Sequence, residues 1–265
     1  MTSNPTIVIC PGAWPVRSFF EPLQSALSAL SHPTIISITD YSNIDTLLST
    51  PSNPDATSLR QTLQTLIETS EREVVLLMHS YGGVYGPSSI SGLSFRERQS
   101  KGLKGGVVAL IFFTSFNAKK GESAMDVQGF SLSEGKTPDW AHYEPDTGLV
   151  ELTKAKEMLY HNMPDDEAQR LAGVLPKMPI VCFVSKLEYD PFGDEWYNGA
   201  FGYVFCGGDR MLPLEAQKMY AERAGVTRSR ELKESSHSPH LEQPKELAEA
   251  VVAVLEDIIE DLRRK

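Results

Sequence analysis

One short segment constrains the fold of this chain more than any other: an apolar run that ends abruptly in a turn of small residues. Residues 74–84 read VVLLMHSYGGV, in which five apolar residues precede His79 and Ser80, and two glycines follow Tyr81. A continuous apolar run is typical of a strand buried on both faces, and small residues after it allow a helix to pack closely. The segment therefore predicts a strand, a sharp turn and a helix, with the Ser80 hydroxyl at the carboxyl end of a sheet.

Strand and helix alternate through the rest of the first 113 residues. Apolar runs typical of strands occupy residues 6–10, 33–39, 73–78 and 107–113, and helical spacing of apolar residues marks 17–30, 55–69 and 81–94. The pattern returns later as strands at 202–206 and 228–232 and helices at 214–224 and 244–264. This alternation predicts an α/β fold with a mostly parallel, six-stranded sheet and helices on both faces.

The alternation breaks between residues 117 and 177. This segment is polar, contains aromatic residues such as Trp140 and Tyr143, and has the composition of short helices or irregular structure. We expect residues 1–116 and 178–265 to form the core and residues 117–177 to form a helical lid inserted over the sheet. Ordinary packing of lid helices explains the two aromatic residues as well as contact with a substrate does.

Composition limits the partners that the chain can bind. The formal net charge is −10, from 35 acidic and 25 basic residues, which disfavours nucleic acid and anionic membrane surfaces. No apolar run approaches the roughly 18 residues of a membrane span, and residues 1–5 do not have the pattern of a signal peptide. The three cysteines are widely spaced, which fits a reducing compartment. We therefore expect a cytoplasmic protein with a small-molecule partner, and a homodimer is one expectation for its assembly.

Ser80 has two interpretations. It can simply cap the helix that follows, as serine often does. In its strand–turn–helix setting we favour a nucleophile, because a hydroxyl at a helix N-terminus lies where developing negative charge is stabilised. A serine hydroxyl is a weak nucleophile, so the hypothesis needs a base and an acid elsewhere in the chain.

Asp209 is the acid that the order of elements favours. It follows the strand at residues 202–206, and Ser80, Asp209 and a later histidine stand in the order nucleophile, acid, base. Its other interpretation is a turn residue, because two glycines precede it. Asp190 and Asp194 are the fallback acids, although their loop of proline and glycine can use both side chains to hold its own backbone.

Three histidines compete for the role of base. His237 and His240 both lie between the last predicted strand and the last predicted helix. His79 directly precedes Ser80, but neighbouring side chains on a sharp turn diverge. We therefore expect His79 to line the pocket or to support the loop beside it.

Four segments together resemble the α/β-hydrolase family. Residues 78–83 (MHSYGG) resemble its nucleophile elbow and residues 10–14 (CPGAW) its oxyanion loop. Residues 205–213 (FCGGDRMLP) resemble its acid loop and residues 236–244 (SHSPHLEQP) its histidine loop. The resemblance is strongest to small fungal α/β-hydrolases with an HSYGG elbow, and more distant to plant hydroxynitrile lyases and salicylate-ester hydrolases. Met78 stands where the usual G-x-S-x-G elbow has its first glycine.

The resemblance implies an α/β-hydrolase fold and a triad of Ser80, His237 and Asp209. The family pattern aligns the histidine before Ser-Pro with the base, which favours His237 over His240. The resemblance also implies an oxyanion hole formed by backbone N–H groups of Ala13 and Tyr81. The substrate pocket that we expect beside it includes Gly12, Trp14, His79, Trp140 and Tyr143.

These expectations describe a serine hydrolase that cleaves a small ester, lactone or thioester through an acyl-Ser80 intermediate. The same pocket can instead serve a lyase, or a cyclase of a polyketide-like or other secondary metabolite, without an acyl-enzyme. A non-enzymatic ligand receptor is the third hypothesis. The sequence contains no close metal-ligand spacing and no glycine-rich nucleotide motif, so we expect no metal and no organic cofactor. We expect an apolar or aromatic substrate.

Overall fold

The computed structural model describes residues 4–264 of the chain. Its strands, in chain order, are β1 (Thr6–Cys10), β2 (Thr34–Ile36), β3 (Glu73–His79), β4 (Gly106–Phe113), β5 (Ala141–Glu144), β6 (Leu149–Leu152), β7 (Met178–Pro179), β8 (Phe201–Cys206) and β9 (Arg228–Leu232). Six of them form one parallel sheet in the order β2-β1-β3-β4-β8-β9. The six-stranded parallel core predicted from the sequence is therefore confirmed.

The helices surround this sheet and fill the connections between its strands. In chain order they are α1 (Arg17–Ala29), α2 (Ile44–Leu48), α3 (Pro54–Gln64), α4 (Gly82–Ser88), α5 (Phe95–Ser100), α6 (Ala124–Val127), α7 (Ala155–Leu159), α8 (Asp165–Ala172), α9 (Val181–Val184), α10 (Leu214–Arg223), α11 (Pro239–Glu242) and α12 (Pro244–Arg264). A π-helical turn, Thr65–Thr69, extends α3, and a 3-10 turn, Glu195–Tyr197, precedes β8. None of the described helices is long and apolar enough to cross a membrane.

The centre of the sheet is apolar on both faces because helices cover both sides. Every residue of β4 is buried, and β3 is buried from Val74 to His79. The register pairs Leu77 of β3 with Ile9 of β1 and with Ile111 of β4. Neighbouring parallel strands therefore end at the same edge, and the loops after β1, β3, β4 and β8 meet there.

The insertion between β4 and β8 differs from the helical lid that the sequence predicts. It contains short helices, but also a second sheet in which β6 pairs antiparallel with both β5 and β7. A four-residue connection that ends at Gly148, whose φ is +67°, closes the β5–β6 hairpin. Strands of four residues or fewer are too short for their alternation to stand out in a sequence. β7 pairs with β6 although it begins after residue 177, where we expect the core to resume.

Candidate active site

Ser80 lies in the tight turn between β3 and α4. Its φ of +49° is left-handed, a conformation that few residues with a side chain adopt. The start of α4 packs directly against neighbouring backbone. A Cβ on Gly82 would lie 2.2 Å from the carbonyl oxygen of Cys10, and a Cβ on Gly83 would lie 2.4 Å from the carbonyl oxygen of Phe116. The two glycines are therefore needed for the turn, which holds Ser80 in a strained conformation at the end of β3.

Asp209 and His237 form a buried hydrogen-bonded pair. Asp209 Oδ2 lies 2.8 Å from His237 Nδ1, and Asp209 Oδ1 accepts the backbone N–H groups of Met211 and Leu212 at 2.8 and 2.9 Å. Because a carboxylate only accepts, Nδ1 carries the proton and Nε2 is left as an acceptor. The loops after β8 and β9 thus bring together the acid and the histidine that the sequence proposed.

Ser80 Oγ makes no hydrogen bond to His237 within the described residues. The residue is 8% exposed, at the edge of a cavity, while His237 is 2% exposed. Hydrogen bonds between catalytic groups are often long in the absence of a ligand and shorten when a substrate is bound. Ser80, Asp209 and His237 thus meet at one edge of the sheet, without a hydrogen bond between Ser80 Oγ and His237.

Thr114 and Ser115 directly follow β4 and are the site residues that sequence reasoning missed. The Thr114 hydroxyl donates to Asp209 Oδ2 and lies 2.7 Å from His237 Nδ1. Ser115 Oγ donates to the backbone carbonyl oxygen of Ser80 at 2.6 Å. The available signal was positional, since two hydroxyl side chains follow a buried strand beside β3 and so lie at the same edge of the sheet.

The loop after β1 supplies a backbone donor next to Ser80. Within residues 4–264, the N–H groups of Ala13 and Tyr81 have no protein acceptor, and both residues line the cavity. The N–H of the next residue, Trp14, is occupied because it donates to Met178 Sδ at 2.7 Å. Two unpaired N–H groups beside a hydroxyl can stabilise an oxyanion if one forms there.

The cavity beside Ser80 lies between the sheet edge and the insertion, and encloses about 660 Å³ counted to its open mouth. Trp14, Trp140 and Tyr143, which the sequence placed in the pocket, all line it. None of its lining residues carries a charge at neutral pH. They are Ala13, Trp14, Ser80, Tyr81, Phe116, Ala124, Met125, Gln128, Phe130, Leu132, Thr137, Pro138, Trp140, Ala141, Tyr143, Val150, Ile180, Phe183 and Met211.

Gly12 and His79 do not line this cavity. The His79 ring stacks on Phe113 at 4.9 Å between ring centroids and donates Nε2–H to the backbone carbonyl of His237 at 2.9 Å. Its Nδ1 faces Gly12, where a Cβ would lie 2.8 Å away. Burial, together with the neighbouring His240 and His237, lowers the pKa of His79 well below its ordinary value. His79 is therefore a neutral side chain that holds the histidine loop.

The other candidates for base and acid lie elsewhere. His240 stacks on Phe20 with 4.3 Å between ring centroids, and burial lowers its pKa to about 3. Asp190 accepts the backbone N–H of Lys120 at 2.8 Å, and Asp194 caps the 3-10 turn before β8. The two aspartates thus hold their own loop and its neighbour.

A buried polar network surrounds the hydroxyl of Tyr81. This hydroxyl lies 3.0 Å from Asp55 Oδ2 and 2.8 Å from the carbonyl oxygen of Cys182, and it accepts from Asn53 Nδ2 at 2.8 Å. Asn53 caps α3 and also donates to the Cys182 carbonyl at 2.9 Å, while Tyr41 donates to Asp55 at 2.7 Å. The network joins the turn at Ser80 to α3 and to α9 of the insertion. Sequence reasoning missed it, although an Asn-Pro-Asp helix start at residues 53–55 was visible.

Curated relatives match the chain over different lengths. The alpha/beta hydrolase nvfD of Aspergillus novofumigatus (strain IBT 16806) is 23% identical over 248 residues, which cover 91% of this chain and 92% of that protein. Norfluorocurarine synthase 2 of Strychnos nux-vomica is 31% identical over 105 residues, and this match spans 38% of each chain.

Solved structures and a family model cover most of the chain. The crystal structure of polyneuridine aldehyde esterase superposes with a TM-score of 0.67 and 17% identity over 96% of this chain and 99% of that one, which establishes a shared fold. The model of the alpha/beta hydrolase family matches residues 7–250. The chain therefore belongs to the α/β hydrolase family.

Proposed function

We propose that the protein is a serine hydrolase that cleaves a small neutral ester, lactone or thioester through an acyl-Ser80 intermediate. The observation that carries the proposal is the 2.8 Å contact between Asp209 and His237 at the sheet edge where Ser80 is held at a positive φ. Membership of a hydrolase family and the likeness to an esterase support the same chemistry.

The mechanism follows from the proton positions. Asp209 holds the Nδ1 proton of His237, so Nε2 takes the proton of Ser80 while the serine oxygen attacks the carbonyl carbon. The N–H groups of Ala13 and Tyr81 stabilise the oxyanion. His237 then protonates the leaving alcohol or thiol, and a water molecule activated by the same nitrogen releases the acid and restores Ser80.

The cavity wall supports an uncharged, apolar or aromatic substrate. The wall combines aromatic rings and aliphatic side chains with a few neutral polar groups, such as Gln128 and Thr137, and carries no charge at neutral pH. A charged substrate would lose hydration there without gaining a counter-ion, and this loss opposes binding. Neutral ring-containing esters and lactones fit this wall best.

Labelling and turnover together test the proposal. We expect a fluorophosphonate probe to modify Ser80, and Ser80→Ala to lower the kcat of p-nitrophenyl ester hydrolysis by about a thousandfold or more. Ser91→Ala is the matched control, because this serine is exposed and lies outside the site. Unchanged turnover in Ser80→Ala, with the folded state verified by circular dichroism, would refute the proposal.

A lyase or cyclase is the second candidate. Two observations favour it: Ser80 Oγ has no hydrogen bond to His237, and two relatives are named synthases. In that reaction the histidine moves protons and no bond to Ser80 forms. A mass shift of the Ser80 peptide by the acyl group, trapped by acid quench during turnover, supports hydrolysis. Full turnover without such a species supports the alternative.

A further inference from the structure

Thr114 occupies a conformation that its residue type disfavours. It is fully buried at the carboxyl end of β4 and has a φ of +39°. A β-branched residue at positive φ is a genuine outlier, because its side chain crowds the backbone. Such strain persists where surrounding contacts impose it, often at functional sites. Thr114 therefore has a conformational cost that its contacts must offset.

Those contacts are the acid and the histidine of the site. The Thr114 hydroxyl donates to Asp209 Oδ2, while its oxygen lies 2.7 Å from His237 Nδ1, the same nitrogen that lies 2.8 Å from Asp209 Oδ2. The Thr114 oxygen, Asp209 Oδ2 and His237 Nδ1 therefore share two protons, one on the hydroxyl and one on Nδ1. The hydroxyl proton goes to the carboxylate, so the Thr114 oxygen keeps its lone pairs for the Nδ1 proton.

We propose that Thr114 is a positioning residue for the histidine base, which it holds by sharing the Nδ1 proton of His237 with Asp209. The proposal rests on the proposed function, in which His237 accepts the proton of Ser80. Two acceptors on one N–H fix the imidazole plane more closely than a single carboxylate oxygen does. Nε2 is thereby held in the direction from which it must reach Ser80.

The same hydroxyl also weakens the attraction between Asp209 and a protonated His237. A hydrogen bond donated to Asp209 Oδ2 stabilises its negative charge locally and leaves less of it for the imidazolium. Removal of the hydroxyl takes a donor from Asp209, which strengthens the contact of the carboxylate with the imidazolium, and takes an acceptor from the Nδ1 proton, which weakens the hold on it.

Other ionisable groups around this pair come from several elements. His79 of β3 lies 5.0 Å from His237 between ring centroids, and His240 of α11 faces it as well. Burial keeps both neutral, since it lowers the pKa of each. The remaining groups near the pair are Cys206 and Tyr203 of β8, whose pKa values burial raises, His161 and Arg210 above the acid loop, and Glu242, which accepts the Ser236 N–H. None of these changes when only the Thr114 hydroxyl is removed.

Two variants separate the hydroxyl from the shape of the side chain. Thr114→Val keeps the branched shape and removes the hydroxyl, whereas Thr114→Ser keeps the hydroxyl and removes a methyl group. Ser94→Ala is the matched control: it also loses a buried hydroxyl, one that donates to the Trp196 carbonyl at 3.0 Å near the amino end of β4.

The test is the pH dependence of kcat/KM with a p-nitrophenyl ester. We expect Thr114→Val to lose about tenfold in kcat/KM and its acid limb to move by about half a unit or more, because both hydrogen-bond partners of the pair change. Thr114→Ser restores the native limb, and Ser94→Ala keeps it. An unmoved limb in Thr114→Val, whatever its activity, overturns the proposal and leaves Thr114 with a structural role.

A second measurement covers the case in which Thr114→Val does not fold. The far-downfield NMR resonance of the His237 Nδ1 proton reports its acceptors directly and needs no turnover. We expect it to be present in the native protein and Thr114→Ser and to shift in Thr114→Ala, and identical positions in all three overturn the proposal. If Ser80→Ala leaves turnover unchanged, the hydrolase proposal fails, while this resonance still tests the role of Thr114.

Discussion

Met78 stands where most related turns have glycine, and its larger side chain is accommodated beside the turn that carries Ser80. Most elbows of this family have glycine at this position, where the following helix crosses the strand. Here the Met78 side chain is fully buried, and the space it needs comes from Gly86 of α4, where a Cβ would lie 2.8 Å from the Met78 sulfur. Close packing of strand and helix therefore requires a small residue at Gly86 of the helix and not at position 78 of the strand.

This pairing predicts a strong coupling between the two positions. Gly86→Ala should destabilise the native protein by about 1–3 kcal/mol, because the added methyl group overpacks a closed core. In a Met78→Ala background the same change should cost little or stabilise by about 1 kcal/mol, since alanine is the better helix former. Urea unfolding of the double-mutant cycle measures the coupling. Gly193→Ala, at a glycine with open space around it, is the control, and additive effects would contradict the pairing.

At the scale of elements, α9 of the insertion is tied to the core by the carbonyl of Cys182. Asn53 donates to this oxygen, and the Tyr81 hydroxyl, which shares its one proton between this oxygen and Asp55, lies 2.8 Å from it. Phe183, the next residue, packs on Trp14 and Tyr81 at 5.7 and 5.5 Å between ring centroids. Phe183 forms part of the cavity wall, and it is positioned by Tyr81, the residue whose backbone N–H faces the proposed oxyanion.

Tyr81→Phe tests how much this tie contributes. The change removes one hydroxyl from three partners and leaves a buried carboxylate at Asp55 with one fewer hydrogen bond, so we expect a loss of about 2–4 kcal/mol in the free energy of unfolding. Tyr197→Phe is the matched control, because its buried hydroxyl donates only to the Ile90 carbonyl at 3.0 Å, and about 1 kcal/mol is expected. Equal losses in the two variants would show that the network adds nothing.

Most elements of the core could be predicted from sequence, except short helices such as α2 and α5, and those of the insertion could not. The apolar run at residues 107–113 is explained by a strand buried on both faces. The spacing of apolar residues in 244–264 is explained by a helix buried on one face. The strands Ala141–Glu144 and Leu149–Leu152 are half-exposed and four residues long, and their pairing depends on the turn at residues 145–148. Local pattern carries too little information there.

The site likewise contains residues that the sequence predicts and residues that it does not. Ser80, Asp209 and His237 each follow a strand, so chain order placed them at one edge of the sheet. The contacts of Thr114 and of Asp55 depend on which strands and helices are neighbours in space. His79 was expected to line the pocket or to support the neighbouring loop. Its ring turns toward Phe113 and His240, because the turn at Ser80 sends adjacent side chains in different directions, and its Nδ1 faces Gly12 of the loop after β1.

At the scale of the whole molecule, buried neutral histidines link stability to pH. Burial lowers the pKa of His79 well below 6.5 and that of His240 to about 3. Above about pH 6.5 neither the folded nor the unfolded chain protonates them. Below that value the unfolded chain gains protons that the folded chain cannot accept, so stability falls as the pH is lowered from about 6.5 toward the folded pKa values.

Each such histidine contributes up to about 1.4 kcal/mol per pH unit to this loss. We expect His240→Phe, which keeps a ring stacked on Phe20, to make the decline of the unfolding free energy shallower by about that amount between about pH 6 and 4. Urea titrations across this range measure it. His142→Gln, at an exposed histidine of β5, is the control, and identical slopes for the native protein and His240→Phe would contradict the linkage.

The uncharged cavity wall affects the release of an acidic product as well as the binding of a substrate. If a neutral ester is cleaved there, the acid that forms ionises in a space lined by rings and aliphatic side chains. Among the described residues the cavity wall offers that anion no charged partner, so departure into water, where its hydration is restored, is favoured. The free acid should therefore be a poor inhibitor, and the rate of hydrolysis should not fall through product inhibition as the acid accumulates.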